Sequence, residues 1–210
     1  MRIRFPSLIL TLHLFILPLF NNMDALPPQL SVASINCNSL NMSSIGKDNH
    51  LLKIHGIVSL NTDVILLSDI RLCNSAGVSN INEITNTLRC NPYCAYRLIS
   101  NSKRNKRGVG ILIKKNSPFA VIAEKRDREE NILILRIRHT TTGKEFLIGS
   151  IYGPNKHEPR FFLSLRELIA DAGAIPVVLG GDWNCTYSNE PASSYWRHNI
   201  CVLPLYKKLW

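Results

Sequence analysis

Four apolar runs in this 210-residue chain each lead into polar side chains suited to work on a phosphate ester. Asn36 follows Leu30–Ile35, and Asp69 follows Val64–Leu67. Tyr152 and Asn155 follow Phe146–Ile151, and Asp182 and Asn184 follow Ile175–Leu179. The strand ends of a layered sheet can aim such groups into one crevice. Two carboxylates there suit a hard, oxygen-seeking cation such as Mg²⁺ (or Mn²⁺). Asn and Tyr add neutral donors and acceptors that hold phosphate oxygens without repelling them. A cation to polarise the ester and an oriented base for water are what phosphodiester hydrolysis needs. Taken singly, each group is an ordinary turn or cap residue. Their joint order is what points to chemistry.

The elements that must position these groups follow from periodicity. Leu30–Ile35 alternates as a strand, and Val64–Leu67 is a short continuous apolar run typical of a buried one. Leu51, Leu52, Ile54, Ile57 and Val58 recur at helical spacing within 47–60, although Gly56 weakens that helix. A further helix is expected over 80–89. Strands are expected at 96–99, 108–113, 120–123, 132–137 and 145–151, with a charged hairpin tip at 124–131. Glu158-Pro159 opens a helix through about Asp171, with Phe162, Leu165 and Ile169 on one face. Ile175–Leu179 is a strand entering Gly180-Gly181-Asp182-Trp183-Asn184, and the residues after it have no clear period. Many strands with few helices favour an α/β layered domain. Adjacent strands without a helix between them exclude a regular βαβ nucleotide-binding fold.

The chain carries 25 Lys and Arg against 15 Asp and Glu, a formal charge of +10. Lys103, Arg104, Lys106 and Arg107 are the sharpest cluster; a basic loop of this kind raises the local concentration of polyanions, or is simply a solvated turn. The six cysteines include no C-x-x-C pair, which argues against a zinc site and for buried free thiols. Arg2 and Arg4 precede an apolar stretch to Phe20 that has the form of a secretory signal; Met23 is the alternative start. The stretch is short and proline-broken for a membrane span, so no stable membrane association is expected beyond this leader. The organisation read from the sequence is a leader at 1–22, a linker at 23–29, the domain at 30–188 and a divergent tail at 189–210.

The ordered motifs resemble the endonuclease/exonuclease/phosphatase superfamily, and most of all the apurinic-type endonuclease domain of non-LTR (LINE-type) retrotransposons. Ser34–Asn41 is similar to that family's first motif. Leu67–Leu72 stands in place of its Q-E-T motif, and Arg107–Ile113 resembles its central strand. Ile151–Asn155 is similar to I-Y-A/G-P-N, and Gly180–Asn184 to G-D-F-N. The resemblance implies an α/β fold, a layered β-sandwich flanked by helices of the DNase/AP-endonuclease-like kind, and roles position by position. Asn36 would orient the phosphate and the metal, with Asp69 as the metal carboxylate. Tyr152 would bond a phosphate oxygen, Asp182 would orient or deprotonate water, and Asn184 would stabilise the transition state. Asn155 would support the site or contact DNA, and Lys103, Arg104, Lys106 and Arg107 would lie near the nucleic-acid backbone.

Two departures qualify what the resemblance implies. Asp69 stands where the superfamily usually has Glu, one methylene longer. The C-terminal Ser-Asp-His motif is absent, and His198 follows Asp182 too closely to supply it. The expectation is a domain incomplete at its C-terminus and weak or inactive as a nuclease, since a phosphate-pairing histidine is worth orders of magnitude in rate. DNA is the expected partner, with a reverse transcriptase encoded downstream and a nuclear or cytoplasmic location, or secretory entry if the leader acts as a signal. Two other functions stay open: a non-catalytic nucleic-acid-binding remnant and a secreted phosphodiesterase of the same superfamily. For the latter, a glycan at the Asn184-Cys185-Thr186 sequon would obstruct the site.

Overall fold

The computed structural model describes residues 10–14, 30–40, 47–72, 96–102, 106–155, 158–173, 175–184 and 198–203. The helix expected at 80–89, Lys103, Arg104 and four of the cysteines (Cys73, Cys90, Cys94 and Cys185) lie outside these residues. In chain order the elements are β1 (Leu10–Leu14), β2 (Leu30–Asn36), α1 (Lys47–Val58), β3 (Val64–Ser68), β4 (Tyr96–Asn101) and β5 (Val109–Lys114). They continue with β6 (Phe119–Arg126), β7 (Ile132–His139), β8 (Glu145–Tyr152), α2 (Pro159–Ile169), β9 (Val177–Asp182) and β10 (His198–Leu203).

Two five-stranded sheets result, in the orders β1-β2-β3-β5-β4 and β10-β9-β8-β7-β6. Each is antiparallel except for one parallel pair, β2 with β3 and β8 with β9. The two parallel pairs explain why helices occur where they do. A parallel connection needs a crossover, and α1 and α2 are those crossovers. The hairpin-connected strands need none, which is why the sequence shows long stretches of strand without helix.

The burial pattern follows from the two-residue period of a strand. Val64 and Leu66 of β3 point between the sheets, against Leu133, Leu135, Ile148 and Val178 of the facing sheet. Ile65 and Leu67 point the other way, into a layer closed by Ile54 and Ile57 of α1. Both faces of β3 are therefore buried, and its sequence is apolar throughout. Phe161 and Leu165 of α2 cover Ile132, Ile134, Ile151 and Leu179 in the same way. Each such side chain contributes about 1.5–3 kcal/mol on burial. The edge strand β6 is mostly exposed and ends in Glu124, Lys125 and Arg126, charges that suit an edge that must not template aggregation. The domain thus has four layers, helix on sheet on sheet on helix. No helix among the described residues is long and apolar enough to cross a membrane.

Three details depart from the sequence-based expectation. Leu165 and Ile169 of the expected stripe face the core, but Phe161, one full turn before Leu165, takes the place expected for Phe162, which is exposed. The strands also run further than their apolar residues do: Asn36, Tyr152, and Gly180 to Asp182 all lie inside strands, not in turns. Finally, backbone pairing recruits β1 from the leader region onto β2, and β10 from the tail region onto β9.

Candidate active site

The site forms where the two parallel pairs end on the same side of the sandwich. In one sheet Asn36 is the register partner of Ser68, and Asp69 follows directly. In the other, Tyr152 is the register partner of Asp182. A side-chain hydrogen bond joins the sheets: Asn36 Nδ2 donates to Asp182 Oδ2 at 2.8 Å, across 146 residues of sequence. Asn36 Oδ1 accepts the Asn38 backbone N–H at 3.0 Å, which fixes the amide orientation. Beneath it, Ser150 Oγ donates to the Leu67 carbonyl and ties β8 to β3 inside the core.

Asp69 and Asp182 are both buried, 4% and 5% exposed, at the floor of this junction. Asp182 Oδ1 also accepts the Asn184 N–H at 3.2 Å. Each carboxylate oxygen offers two lone pairs, so acceptor capacity remains for a water molecule. Asn184 Nδ2 donates to the Gly153 carbonyl at 2.8 Å, and its side chain also hydrogen-bonds Tyr152. Burial and the negative charges of Asp69 and Asp182 push the Tyr152 phenol above its ordinary pKa; the Asn184 bond and the Arg71 charge only partly offset this. Tyr152 therefore stays protonated and able to donate a hydrogen bond. The native chain holds a proton that the unfolded chain releases near pH ~10, so raising the pH through that value favours unfolding. In a spectrophotometric titration, the step lost in Tyr152→Phe should lie above the ordinary tyrosine range.

The backbone here is unusually constrained. Asn38, Ser39, Asp69, Arg71, Arg107 and Asn184 all have φ between +44° and +75°. They account for six of the eight described non-glycine residues with positive φ. Such conformations cost on the order of 1–3 kcal/mol each and persist only where the surroundings enforce them. The enforcing contacts can be named. Ile70 N donates to the Gly108 carbonyl and Arg71 N to the Arg107 carbonyl; Leu72 N donates to Ser102 Oγ. Ser39 N and Leu40 N donate to the Asp69 and Ile70 carbonyls. The two glycine-bearing motifs lock together as well: Gly153 N donates to the Asp182 carbonyl, and the Gly153 Cα packs directly on the Trp183 backbone.

Two site residues carry no signal of their own in the sequence. Lys53 of α1 sends its ammonium to the carbonyls of Cys37, Asn38 and Ser39, at 2.9, 3.1 and 3.1 Å. It thereby satisfies the turn that leaves Asn36. Burial lowers its pKa, and the nearby Cys37 thiol, itself buried, is raised well above the usual range. Lys53→Met strands three carbonyls, and a loss of about 1–3 kcal/mol in denaturant unfolding is expected. The other is Arg71, whose Nε and Nη2 donate to Asp69 Oδ1 and Oδ2 at 2.8 and 2.7 Å. Its place in the same short motif as Asp69 was the available signal.

The structure thus brings Asn36, Asp69, Tyr152, Asp182 and Asn184 to one junction. Arg107 reaches its rim through its backbone bond to Arg71, and Lys106 and Arg107 are exposed. Asn155 is exposed, three residues beyond Tyr152.

Several solved structures share this architecture at low sequence identity. An endonuclease/exonuclease/phosphatase from Bacteroides vulgatus superposes with a TM-score of 0.57 at 14% identity, over 75% of this chain and 66% of that one. The chain adopts the endonuclease/exonuclease/phosphatase fold. D. rerio TDP2 complexed with single strand DNA product superposes at 0.52, with 14% identity over 75% and 61%. The mannosyl-6-phosphatase Bt3783 of Bacteroides thetaiotaomicron VPI-5482 gives 0.53, with 15% identity over 74% and 65%. The chain spans less than two thirds of the length of each of these proteins. No protein-family model and no curated protein matches its sequence.

Proposed function

We propose that this chain is a Mg²⁺-dependent phosphodiesterase acting on DNA, of the kind carried by LINE-type retrotransposons, with a low intrinsic rate. The observation that carries the reading is the Asn36–Asp182 hydrogen bond, which unites two strand-end pairs into one anionic, amide-lined junction. The residues fit a magnesium ion. Among the described residues no cluster of three His, Cys, Asp or Glu exists to cage a metal. Mg²⁺ asks for less: one or two carboxylates and several retained waters. Asp69, with the Asn36 amide oxygen on the neighbouring strand, offers hard oxygen donors of that kind. A bound divalent cation supplies Lewis-acid polarisation of a phosphate oxygen.

The remaining work falls to the chain. Asp182, held by Asn36 and by the Asn184 N–H, orients water and accepts its proton. Tyr152 donates to a phosphate oxygen, and Asn184 holds Tyr152 and the Gly153 carbonyl in place. Lys106 and Arg107 draw the polyanion to the rim, and Asn155 extends that surface. Of the described histidine side chains, His55 lies in the last turn of α1 and His139 pairs with Thr142 at the far end of β7. Neither of these two reaches the junction.

That the Bacteroides neighbour is a phosphatase makes substrate class the informative test. Bis-p-nitrophenyl phosphate and p-nitrophenyl phosphate differ only in whether the phosphate is a diester. Mg²⁺-dependent turnover of the diester in excess of the monoester is expected; preference for the monoester would overturn the assignment.

A further inference from the structure

Asp69 is the metal carboxylate of the reading above, yet both of its oxygens are already engaged by a guanidinium. Arg71 meets them with two parallel N–H donors, the strongest geometry available to such a pair. The contact is short-range and built in. Positive φ at both Asp69 and Arg71 curls the chain so that a residue two places on folds back over the carboxylate. Backbone bonds from Ile70 and Arg71 to the loop before β5, and from Leu72 to Ser102, hold that curl rigidly. The two partners differ in access. Asp69 is 6% exposed along its side chain, whereas Arg71 is 40% exposed. The guanidinium edge formed by Nε and Nη2 faces the carboxylate, while the side chain as a whole stays partly open to solvent.

A guanidinium fork fits a carboxylate and a phosphate equally well. The charge of Arg71 is also felt at Tyr152, so the two side chains share one junction. A divalent cation and Arg71 cannot both take the same lone pairs of Asp69, and their like charges repel. We propose that Arg71 is a phosphate-binding residue that rests on Asp69, and that it transfers its fork to the substrate phosphate when a divalent cation takes the carboxylate. This rests on the proposed function, and it adds a residue for which that function had no use. It also gives the shorter Asp69 a physical setting: a carboxylate close to the backbone curl is one that a residue two places away can cover.

The consequence is coupling between metal and phosphate that runs through one side chain. Mn²⁺ binding to the full chain can be followed by the loss of the free-ion electron paramagnetic resonance signal, with and without inorganic phosphate. In the wild type, phosphate should tighten Mn²⁺ binding about tenfold, because it gives the displaced fork a new acceptor. Arg71→Gln should bind Mn²⁺ alone about five- to tenfold more tightly than the wild type, and phosphate should then change its affinity less than about twofold. Arg71→Lys, which keeps the charge but loses the fork, should fall between the two and guards against a folding artefact in the glutamine variant. Unchanged or weaker Mn²⁺ affinity in Arg71→Gln, with phosphate coupling retained, would show that Arg71 merely orients Asp69 and would overturn the inference while leaving the proposed function intact. A wild-type chain that binds no Mn²⁺, or an Asp69→Asn variant that binds it as well as the wild type, would sink both.

Discussion

Asp182→Asn should lower the rate of phosphodiester cleavage by about 10³-fold, the loss typical of a removed catalytic base, while leaving the domain folded. The replacement is nearly isosteric. Its amide oxygen can still accept from Asn36 Nδ2, so the bond that joins the sheets survives, while its amide nitrogen then faces the Asn184 N–H and the weaker 3.2 Å bond is given up. What disappears is the charge and the ability to take a proton from water. The alanine variant is less clean, because it strands the Asn36 amide at a site where Asp182 is only 5% exposed. An unsatisfied buried donor costs about 1–3 kcal/mol, so loss of activity in Asp182→Ala would mix chemistry with stability. Single-turnover cleavage in Mg²⁺, beside a thermal melt of the same preparation, separates the two. Asp182→Asn cleaving within a few-fold of the wild type would remove Asp182 from the reaction.

The second large effect comes from a residue with no side chain. A Cβ added to Gly153 would lie 1.9 Å from the Trp183 carbonyl oxygen and 2.5 Å from its carbon. Both are backbone atoms, so no rotamer change relieves the overlap. The two site motifs must move apart, taking Tyr152 and Asn184 with them, since Asn184 is anchored on the Gly153 carbonyl. Overpacking of this kind costs about 1–3 kcal/mol. A displacement of about 1 Å at a reacting centre costs on the order of 10²-fold in rate. Gly153→Ala should therefore lose roughly 100-fold in activity at a temperature where the protein remains folded. Full activity in a folded Gly153→Ala protein would mean that these motifs do not position the chemistry. Gly143, whose Cβ would meet nothing within 4 Å, is the control for the added methyl group, though its positive φ carries a small strain of its own.

Much of this architecture was legible in the sequence because burial leaves a periodic trace. The apolar run Val64–Leu67 announces a strand covered on both faces, and β3 is such a strand. The layered α/β class followed from counting strands that lack helices between them, and the sandwich from the resemblance of the ordered motifs. The motif residues looked like turns because Gly, Asn and Asp usually are turns. Asn36, Tyr152, Gly181 and Asp182 lie instead within strand ends, where Gly181 adopts a φ of +141° with the Ile151 carbonyl in the place of a side chain, while Asp69, Asn155 and Asn184 follow the strands. Pairing between segments distant in sequence was not legible. Nothing local marks the leader residues Leu10–Leu14 as partners of β2. His198 was set aside on chain distance, yet β10 turns back so that its backbone is the register partner of Asp182. The roles of Lys53 and Arg71 were also hidden. Three backbone carbonyls gathered on one ammonium, or a positive-φ curl that folds Arg71 onto Asp69, depend on backbone geometry that residue types alone do not encode.

The central claim is that this junction cleaves phosphodiester bonds in DNA with a divalent cation. Conversion of supercoiled plasmid to nicked circles by the purified full chain in Mg²⁺ tests it most directly. Slow nicking that stops in EDTA and disappears in Asp182→Asn is the expected result. Nicking that persists in Asp182→Asn or in EDTA, or a folded wild-type chain that binds DNA in Mg²⁺ yet never nicks it, would contradict the account.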